Sequence, residues 1–254
     1  MTWWLRWDKQ LFYLACSALI LTAGCKEEVQ PKTIAISFFY PKHDYQRWVH
    51  SQDSSYRFIE LYTLDDGAVD SVLSAADALI LTGGPDISAS LMNVVDSNNL
   101  CGKPNSRRDS LELLSARYAL AHGLPTLGVC RGMQMMNVSH DGTLILDLPS
   151  MRQTHMHQLP DTDAVHMAFE VNQRFQSITH QDSGLVNSNH HQAIDLLADE
   201  FEILAMASDS TVEAIMVKDT THPFYMGVQW HPERMPRKSA YASEILRAFL
   251  TSIE

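Results

Sequence analysis

The chain has 254 residues, of which 45% are hydrophobic, so it can bury a sizeable core but is too short to carry a second large domain. Its formal net charge of −11 excludes a general affinity for nucleic acid, because phosphate neutralisation requires clustered lysines and arginines. The composition predicts a single domain with an acidic, soluble surface.

The N-terminal segment is typical of a bacterial signal peptide. Arg6 and Lys9 precede an uncharged, mostly apolar run over residues 11–24, which is shorter than the about 20 residues that a membrane-spanning helix needs. The run ends in Leu21-Thr22-Ala23-Gly24-Cys25, which resembles a lipobox, where cleavage precedes a cysteine that is then acylated. A signal peptide over residues 1–25 is therefore predicted.

This interpretation places a linker over residues 26–32 and one folded domain over residues 33–254. An acylated Cys25 would anchor that domain to a lipid bilayer of the bacterial cell envelope, facing the periplasm or the exterior. The alternatives are an uncleaved anchor, and a mis-assigned start or a buried helix. The alternative location is the cytoplasm.

Strands and helices alternate along the rest of the chain. Residues 33–39 and 78–82 are predicted strands, and residues 107–122 are a predicted helix. One face of that helix would carry Leu111, Leu114, Tyr118 and Ala121. Such alternation predicts an α/β fold, with a mainly parallel sheet covered by helices on both faces and a ligand crevice beyond the carboxyl ends of the strands.

Cys130 lies between an apolar stretch, residues 124–129, and a segment of helical periodicity, residues 131–138. Gly128 and Gly132 flank it as small residues flank the nucleophile elbow of hydrolases, where a strained strand-to-helix turn passes close to its neighbours. A thiol at the first turn of a helix is favoured in its ionised form by unpaired N–H groups and the helix dipole. The pattern predicts a reactive cysteine.

His231 and Glu233 are two residues apart and follow a segment, residues 226–230, that is predicted to be extended. Both side chains can then project to the same side. A nucleophile uses such a pair, because the imidazole takes its proton and the carboxylate fixes the imidazole tautomer. Taken alone, this short His-Pro-Glu pattern fits an ordinary surface turn better.

Five blocks in order give the chain a family resemblance from residue 33 onward. They are residues 79–86 (LILTGGPD), 108–112 (RDSLE), 128–137 (GVCRGMQMMN), 186–192 (VNSNHHQ) and 227–233 (GVQWHPE). Together they resemble the class I glutamine amidotransferase-like family, and more narrowly its γ-glutamyl hydrolase branch of the peptidase C26 type. The resemblance implies a flavodoxin-like α/β architecture.

The resemblance also implies roles for individual residues. Cys130 would be the nucleophile, His231 the general base and Glu233 its orienting carboxylate. The backbone N–H groups of Gly84 and Arg131 would form an oxyanion hole, although the sequence leaves open whether Gly83 or Gly84 donates. The residues expected to bind substrate are Gly83, Asp86, Gln134, Asn187, Ser188, His190, His191 and Gln192.

Three segments depart from the family pattern. His140-Asp141-Gly142 stands where the family has paired glycines, and aspartate tolerates positive φ better than most residues, so the turn is expected to survive. Ser208-Asp209-Ser210 replaces an Asp-Gly turn, and residues 88–92 lack the usual proline and tyrosine. These changes bear on substrate contacts more than on the triad.

Two groups of residues admit a second interpretation. His155 and His157, and the adjacent His190-His191, invite a metal site, but no cysteine or carboxylate set at ligand spacing accompanies them, so neither a metal nor a cofactor is predicted. Asp109 is interpreted as structural, and Arg108 is either structural or an anchor for a substrate carboxylate.

The expected activity is cysteine-dependent hydrolysis of a γ-glutamyl amide bond in a small molecule resembling γ-glutamyl-aminobutyrate, through a γ-glutamyl thioester. A glutaminase subunit supplying ammonia to a partner synthetase, and a catalytically silent lipid-anchored binding protein, are the alternatives. The expected partners are the small substrate and, through Cys25, a bilayer, with a homodimer left open. Cys101 is expected in a loop, and whether it pairs with Cys130 stays open.

Overall fold

The computed structural model describes residues 30–158 and 167–254, with only the backbone of residues 167–169. Within these residues, no helix is both long enough and apolar enough to cross a bilayer. The predicted signal peptide and Cys25 lie outside the described residues, so acylation of Cys25 stays a prediction.

The strands of the described residues are β1 (Thr33–Ile36), β2 (Arg57–Glu60), β3 (Ala78–Leu81), β4 (Thr126–Val129), β5 (Leu144–Ile145), β6 (Met167–Val171), β7 (Ser183–Val186), β8 (Ala193–Ile194), β9 (Phe201–Ala207), β10 (Val212–Val217) and β11 (Tyr225–Val228). The helices are α1 (Asp44–His50), α2 (Asp66–Ala75), α3 (Ser106–His122), α4 (Arg131–Val138), α5 (Leu148–Arg152), α6 (Gln173–Thr179) and α7 (Ala240–Thr251). Short 3₁₀ turns cover Ala89–Met92 and Pro232–Arg234.

One large sheet organises the described residues, in the strand order β2-β1-β3-β4-β11-β10-β9-β6-β7. The first five strands in that order are parallel to one another, and the other four pair antiparallel. The carboxyl ends of β3, β4 and β11 therefore meet at the same edge of the sheet. The predicted α/β fold with a mainly parallel central sheet is confirmed.

Each face of the sheet is covered by its own apolar core. Alternate residues of β1 illustrate the division, since Ile34 and Ile36 join the core with α1, α6 and α7, whereas Ala35 joins the core with α2, α3 and α4. Helices on both faces explain why the central strands are buried throughout and read as continuous apolar runs rather than alternating ones.

Helix α3 buries a different face from the one that its apolar residues predict. Leu114 is 58% exposed, whereas Arg108, Asp109 and Glu112 are almost completely buried. The helix therefore presents charged side chains to the protein interior. The reason is that these side chains form an ion-pair network with Arg131 of α4.

The turn after α4 keeps its shape without paired glycines. Asp141 has a φ of 67°, in the left-handed region where aspartate is tolerated, as the sequence predicts. The neighbouring Gly142 is needed for space, because a Cβ there would lie 2.3 Å from the amide of Asn137.

Helix α4 starts in direct contact with the end of β3. A Cβ on Gly132 would lie 2.0 Å from the carbonyl oxygen of Leu81, and a Cβ on Gly128 would lie 2.8 Å from the carbonyl carbon of Gly132. These two glycines are therefore required by a close approach of backbone to backbone, which no side-chain movement can relieve.

We expect Gly132→Ala to lower the free energy of unfolding by about 1–3 kcal/mol or more, because the added methyl group overpacks a backbone contact. The matched control is Gly67→Ala at the start of α2, where the nearest atom would be 3.7 Å from the new Cβ. The control should be neutral or stabilise by up to about 1 kcal/mol. Urea unfolding measures both, and equal values for the two variants would contradict the close approach.

Candidate active site

Cys130 occupies a strained strand-to-helix turn. Its φ is 51° and its ψ is −108°, outside the regions that a residue with a side chain normally adopts. Its N–H donates to the carbonyl of Val228 at 2.7 Å, and its carbonyl accepts from the N–H of Gln134 at 3.2 Å. The turn is thus held by β11 on one side and by α4 on the other, which fixes the thiol at the helix N-terminus.

His231 and Glu233 follow β11 and face the same turn. The Nδ1 atom of His231 lies 2.8 Å from Oε1 of Glu233, and the thiol of Cys130 is near enough to the ring to raise the pKa of His231. Asn187 holds the backbone of His231 at two points, since its Oδ1 accepts at 2.9 Å and its Nδ2 donates at 3.0 Å. The structure brings these three predicted residues together in the expected order.

The electrostatics of this site favour a charged His231. Burial opposes protonation of the ring, but the charges of Glu233 and Cys130 outweigh it and raise the pKa of His231 to about 9. A carboxylate on one nitrogen of a buried ring holds the imidazole in one orientation and supports its positive charge. The same imidazolium is an acid that can protonate a departing amine.

Of the two glycines that follow β3, only Gly84 has a backbone N–H without an acceptor among the described residues. The N–H of Gly83 donates to the hydroxyl of Tyr45 at 2.8 Å, and its carbonyl accepts from Tyr40, also at 2.8 Å. The N–H of Gly84 has no acceptor among the described residues. Together with the N–H of Arg131 at the first position of α4, it can meet a developing oxyanion.

A buried ion network holds this glycine turn. Arg108 donates to the carbonyl of Gly83 at 2.8 Å and pairs with Glu112 at 2.7 Å. Glu112 also pairs with Arg131, which reaches Asp109 at 2.6 Å. With these acceptors, Arg108 is structural, because its guanidinium is committed to the protein and is not free to bind a substrate carboxylate.

Two cavities open beside Cys130 and His231, and the residues predicted to bind substrate are divided between them. The smaller cavity, of about 150 Å³, is lined by Cys130 and by five of these predicted residues. The larger cavity, of about 790 Å³, is lined by His231, Glu233 and two more of the predicted residues. The first group consists of Asp86, Gln134, His190, His191 and Gln192, and the second of Asn187 and Ser188. Gly83 lines neither cavity.

The wall of the smaller cavity is organised by His191. Its Nε2 lies 2.9 Å from Asp86 and its Nδ1 lies 3.0 Å from Asp147. Hydrogen bonding to Asp86 is the main reason why the pKa of His191 rises to about 9. The side chain of Gln192 is likewise engaged, since it accepts from the N–H of Ile87 at 2.8 Å. Much of this polar wall is therefore fixed before any ligand binds.

Cys101 lies in a loop, as predicted, and is a free thiol, as is Cys130. Its sulfur contacts the carbonyl of Ile87 at 3.6 Å and the amide of Gln192 at 3.4 Å. Burial raises its pKa to about 11, so this thiol is protonated and unreactive at neutral pH.

Comparison with known proteins identifies the family of this site. The profile of the peptidase C26 family matches residues 20–233. The chain belongs to the peptidase C26 family. Its Cys130 turn, its His231–Glu233 pair and the glycine turn after β3 all lie inside the matched segment, so the predicted family is confirmed.

Relatives of this peptidase C26 chain differ in their assigned roles. The glutamine amidotransferase-like protein YvdE of Lactococcus lactis is 34% identical over 169 residues, which are 65% of this chain and 69% of that protein. A provisionally assigned glutamine amidotransferase of Mycobacterium tuberculosis is 33% identical over 179 residues, but the match covers only 55% of its length. Gamma-glutamyl-gamma-aminobutyrate hydrolase PuuD of Escherichia coli K12 is 25% identical over 198 residues, 73% of this chain and 75% of that protein.

A solved structure has the same fold. It is a protein of Thermoplasma acidophilum provisionally assigned as a component of GMP synthase, with a TM-score of 0.59 and 18% identity, covering 87% of this chain and 94% of that chain. This likeness confirms the glutamine amidotransferase-like fold of this peptidase C26 member.

The sequence analysis does not predict the roles of three polar residues in this region. Tyr40 and Tyr45 follow β1 and belong to no motif. Only the fold shows that Tyr45 accepts from the N–H of Gly83 and that Tyr40 donates to its carbonyl. Glu213 is completely buried on β10. A lone glutamate in an otherwise apolar strand was the available signal for it, because a buried carboxylate needs specific partners.

We expect Glu233→Gln to lower the pKa of His231 well below 9, because the amide keeps the hydrogen bond to Nδ1 but removes the charge that stabilises the imidazolium. NMR titration of the His231 ring measures this pKa directly. Glu200→Gln, at an exposed position, is the control and should leave it unchanged. An unshifted His231 titration in Glu233→Gln would contradict the assigned role of this carboxylate.

Proposed function

We propose that this peptidase C26 member hydrolyses the γ-glutamyl amide bond of a small molecule, with Cys130 as the nucleophile. The observation that carries the proposal is the hydrogen bond between His231 and Glu233 beside the strained Cys130 turn, with Cys130 lining one cavity and His231 the other. This arrangement supplies an activated thiol, an acid and base, and an orienting carboxylate.

The reaction would proceed in two steps. The Cys130 thiolate attacks the γ-carbonyl carbon, and the N–H groups of Gly84 and Arg131 stabilise the tetrahedral oxyanion. The C–N bond then breaks, His231 gives its proton to the departing amine, and a γ-glutamyl thioester remains. In the second step His231 takes a proton from water, the hydroxide displaces the sulfur, and glutamate leaves while the thiol is restored.

The two cavities support a division of the substrate between them. The smaller one contains Cys130 and the fixed polar wall around His191, and its size suits a glutamyl group. The larger one contains His231 and is lined by Lys42, Arg47 and Arg237. Since His231 protonates the leaving amine, the amine would lie in this larger, basic cavity, which favours a leaving group that carries a carboxylate.

We expect the purified protein, incubated with glutamine and a panel of γ-glutamyl amides, to release glutamate, as measured by mass spectrometry. Cys130→Ala should abolish the release, because it removes the proposed nucleophile. Cys101→Ser is the matched control, since it removes the other free thiol of the described residues and leaves Cys130 in place. Mass spectrometry of the intact protein, quenched during turnover, should also show a γ-glutamyl adduct on Cys130.

Absence of release from every compound, with the protein folded and Cys130 reduced, would overturn the proposal of an independent hydrolase. Ligand binding that is equal in the original chain and in Cys130→Ala, without turnover, would instead establish a binding role. Release from glutamine alone, in preference to all larger amides, would favour a glutaminase.

We expect Arg237→Gln to raise the KM for γ-glutamyl-aminobutyrate about two- to fivefold, because exposed charge pairs contribute roughly 0.2–1 kcal/mol. The KM for glutamine should stay constant, since its leaving group is ammonia and carries no carboxylate. Arg247→Gln, exposed on α7, is the control variant. Equal effects of Arg237→Gln on both substrates would place the leaving group elsewhere.

A further inference from the structure

A second cluster of titratable side chains lies beside the smaller cavity, and the proposed hydrolysis does not use it. His157 follows α5, His190 lies between β7 and β8, and Glu213 lies on β10. Their exposed fractions are 1%, 6% and 0%. Nδ1 of His157 is 3.4 Å from Oε1 of Glu213, and Nε2 of His190 is 3.6 Å from the same oxygen.

The inner atoms of this cluster lack hydrogen-bond partners within the described residues. They are Nδ1 of His157, Nε2 of His190 and both carboxylate oxygens of Glu213. All three residues bring a potential ligand atom within 4.8 Å of the others. Buried polar atoms without partners are rare in folded proteins, because each loses its hydration without compensation.

The outer sides of both rings fix which nitrogen carries the proton. Nε2 of His157 lies 2.8 Å from the carboxylate of Asp209, and Nδ1 of His190 lies 2.9 Å from the carbonyl of Gln192. Both partners only accept, so these outer nitrogens are the donors. In neutral rings the inner nitrogens then direct lone pairs at Glu213, an arrangement that repels unless a proton or a metal cation lies between them.

The backbone holds the two rings in place before any ion arrives. The carbonyl of His157 accepts from the N–H of His190 at 2.9 Å and from the hydroxyl of Ser188 at 3.2 Å. Metal-binding histidines ordinarily donate their second N–H to a carboxylate or a carbonyl, which orients the ring and makes it a better ligand. Asp209 and Gln192 meet that description.

We propose that His157, His190 and Glu213 bind a divalent transition metal ion of the zinc class. Two imidazoles and one carboxylate are a ligand set that suits zinc, with water in the fourth position. Metal–ligand bonds of about 2.0–2.1 Å place neighbouring tetrahedral ligands roughly 3.3 Å apart, close to the two observed separations. The ion would tie the loops on two sides of the cavity to β10.

Sequence patterns do not indicate this site, because the carboxylate is remote from both histidines in the chain. His155 lies two residues before His157 in the sequence, but it is exposed and does not belong to the cluster. The residues that complete the site are instead Glu213 on β10 and, behind the ring of His157, Asp209 from the altered turn before that strand.

The test is titration of the metal-free full chain with Zn²⁺ against a chromophoric chelator. The Cys130→Ala chain is used throughout, because Cys130 and His231 would themselves bind zinc. We expect one tightly bound equivalent, a loss of at least a hundredfold in affinity in Glu213→Gln, and no change in the matched variant His155→Asn. Co²⁺ should give the visible absorption of a tetrahedral site, which Glu213→Gln should lack.

A second variant covers the case in which Glu213→Gln does not fold. Asp209→Asn leaves all three ligands in place and should weaken Zn²⁺ binding about 10- to 100-fold, because it removes the charge behind His157. Absence of a stoichiometric site in the folded chain, or equal affinity in Glu213→Gln and His155→Asn, would overturn the proposal. So would NMR evidence, at neutral pH with zinc present, that both rings carry protons on their inner nitrogens. These readouts measure metal binding and stay separate from any failure of the hydrolase test.

Discussion

The backbone contact between Gly132 and Leu81 is the constraint on which the rest of the site depends. A Cβ at Gly132 would lie 2.0 Å from the carbonyl oxygen of Leu81, so α4 can begin this close to the end of β3 only with glycine there. That approach sets Cys130 in a conformation that costs roughly 1–3 kcal/mol in isolation. Arg131 is then the first residue of α4, directly after the thiol, and Gly84 lines the same cavity as Cys130.

The ion network between α3 and α4 explains how such a strained turn persists. Removing one member of a buried ion pair typically costs about 3–5 kcal/mol, since the partner is left charged and unpaired. Arg108, Glu112 and Arg131 are all buried and mutually paired, so displacement of the glycine turn or of α4 would break these pairs. The same charges that weaken the amphipathic pattern of α3 therefore hold the glycine turn and the start of α4 in position.

The sequence predicted those helices and strands that have a local signal. It did not predict the features that depend on residues far along the chain. Helix α4 and strands β3 and β4 were recognisable because apolar runs and flanking glycines are local signals. The triad order followed from the family motifs. The buried face of α3 was not predictable from periodicity, because its charges are compensated by residues of α4 that lie far along the chain. Asn187 was expected to bind substrate, whereas its amide holds the backbone of His231, a role that only the fold reveals.

The hydrogen bonds of the smaller cavity limit how a substrate can be recognised there. Gln192 is bonded to Ile87 through both its amide oxygen and its amide nitrogen, and His191 lies between two carboxylates, so both side chains are held before a ligand binds. A ligand must therefore meet a wall that is already rigid, and this lowers the entropic cost of ordering side chains on binding. Under the proposed function, discrimination between leaving groups would then fall to the larger cavity, whose basic side chains are exposed. This division of rigidity would favour a stringent glutamyl pocket beside a more tolerant leaving-group cavity.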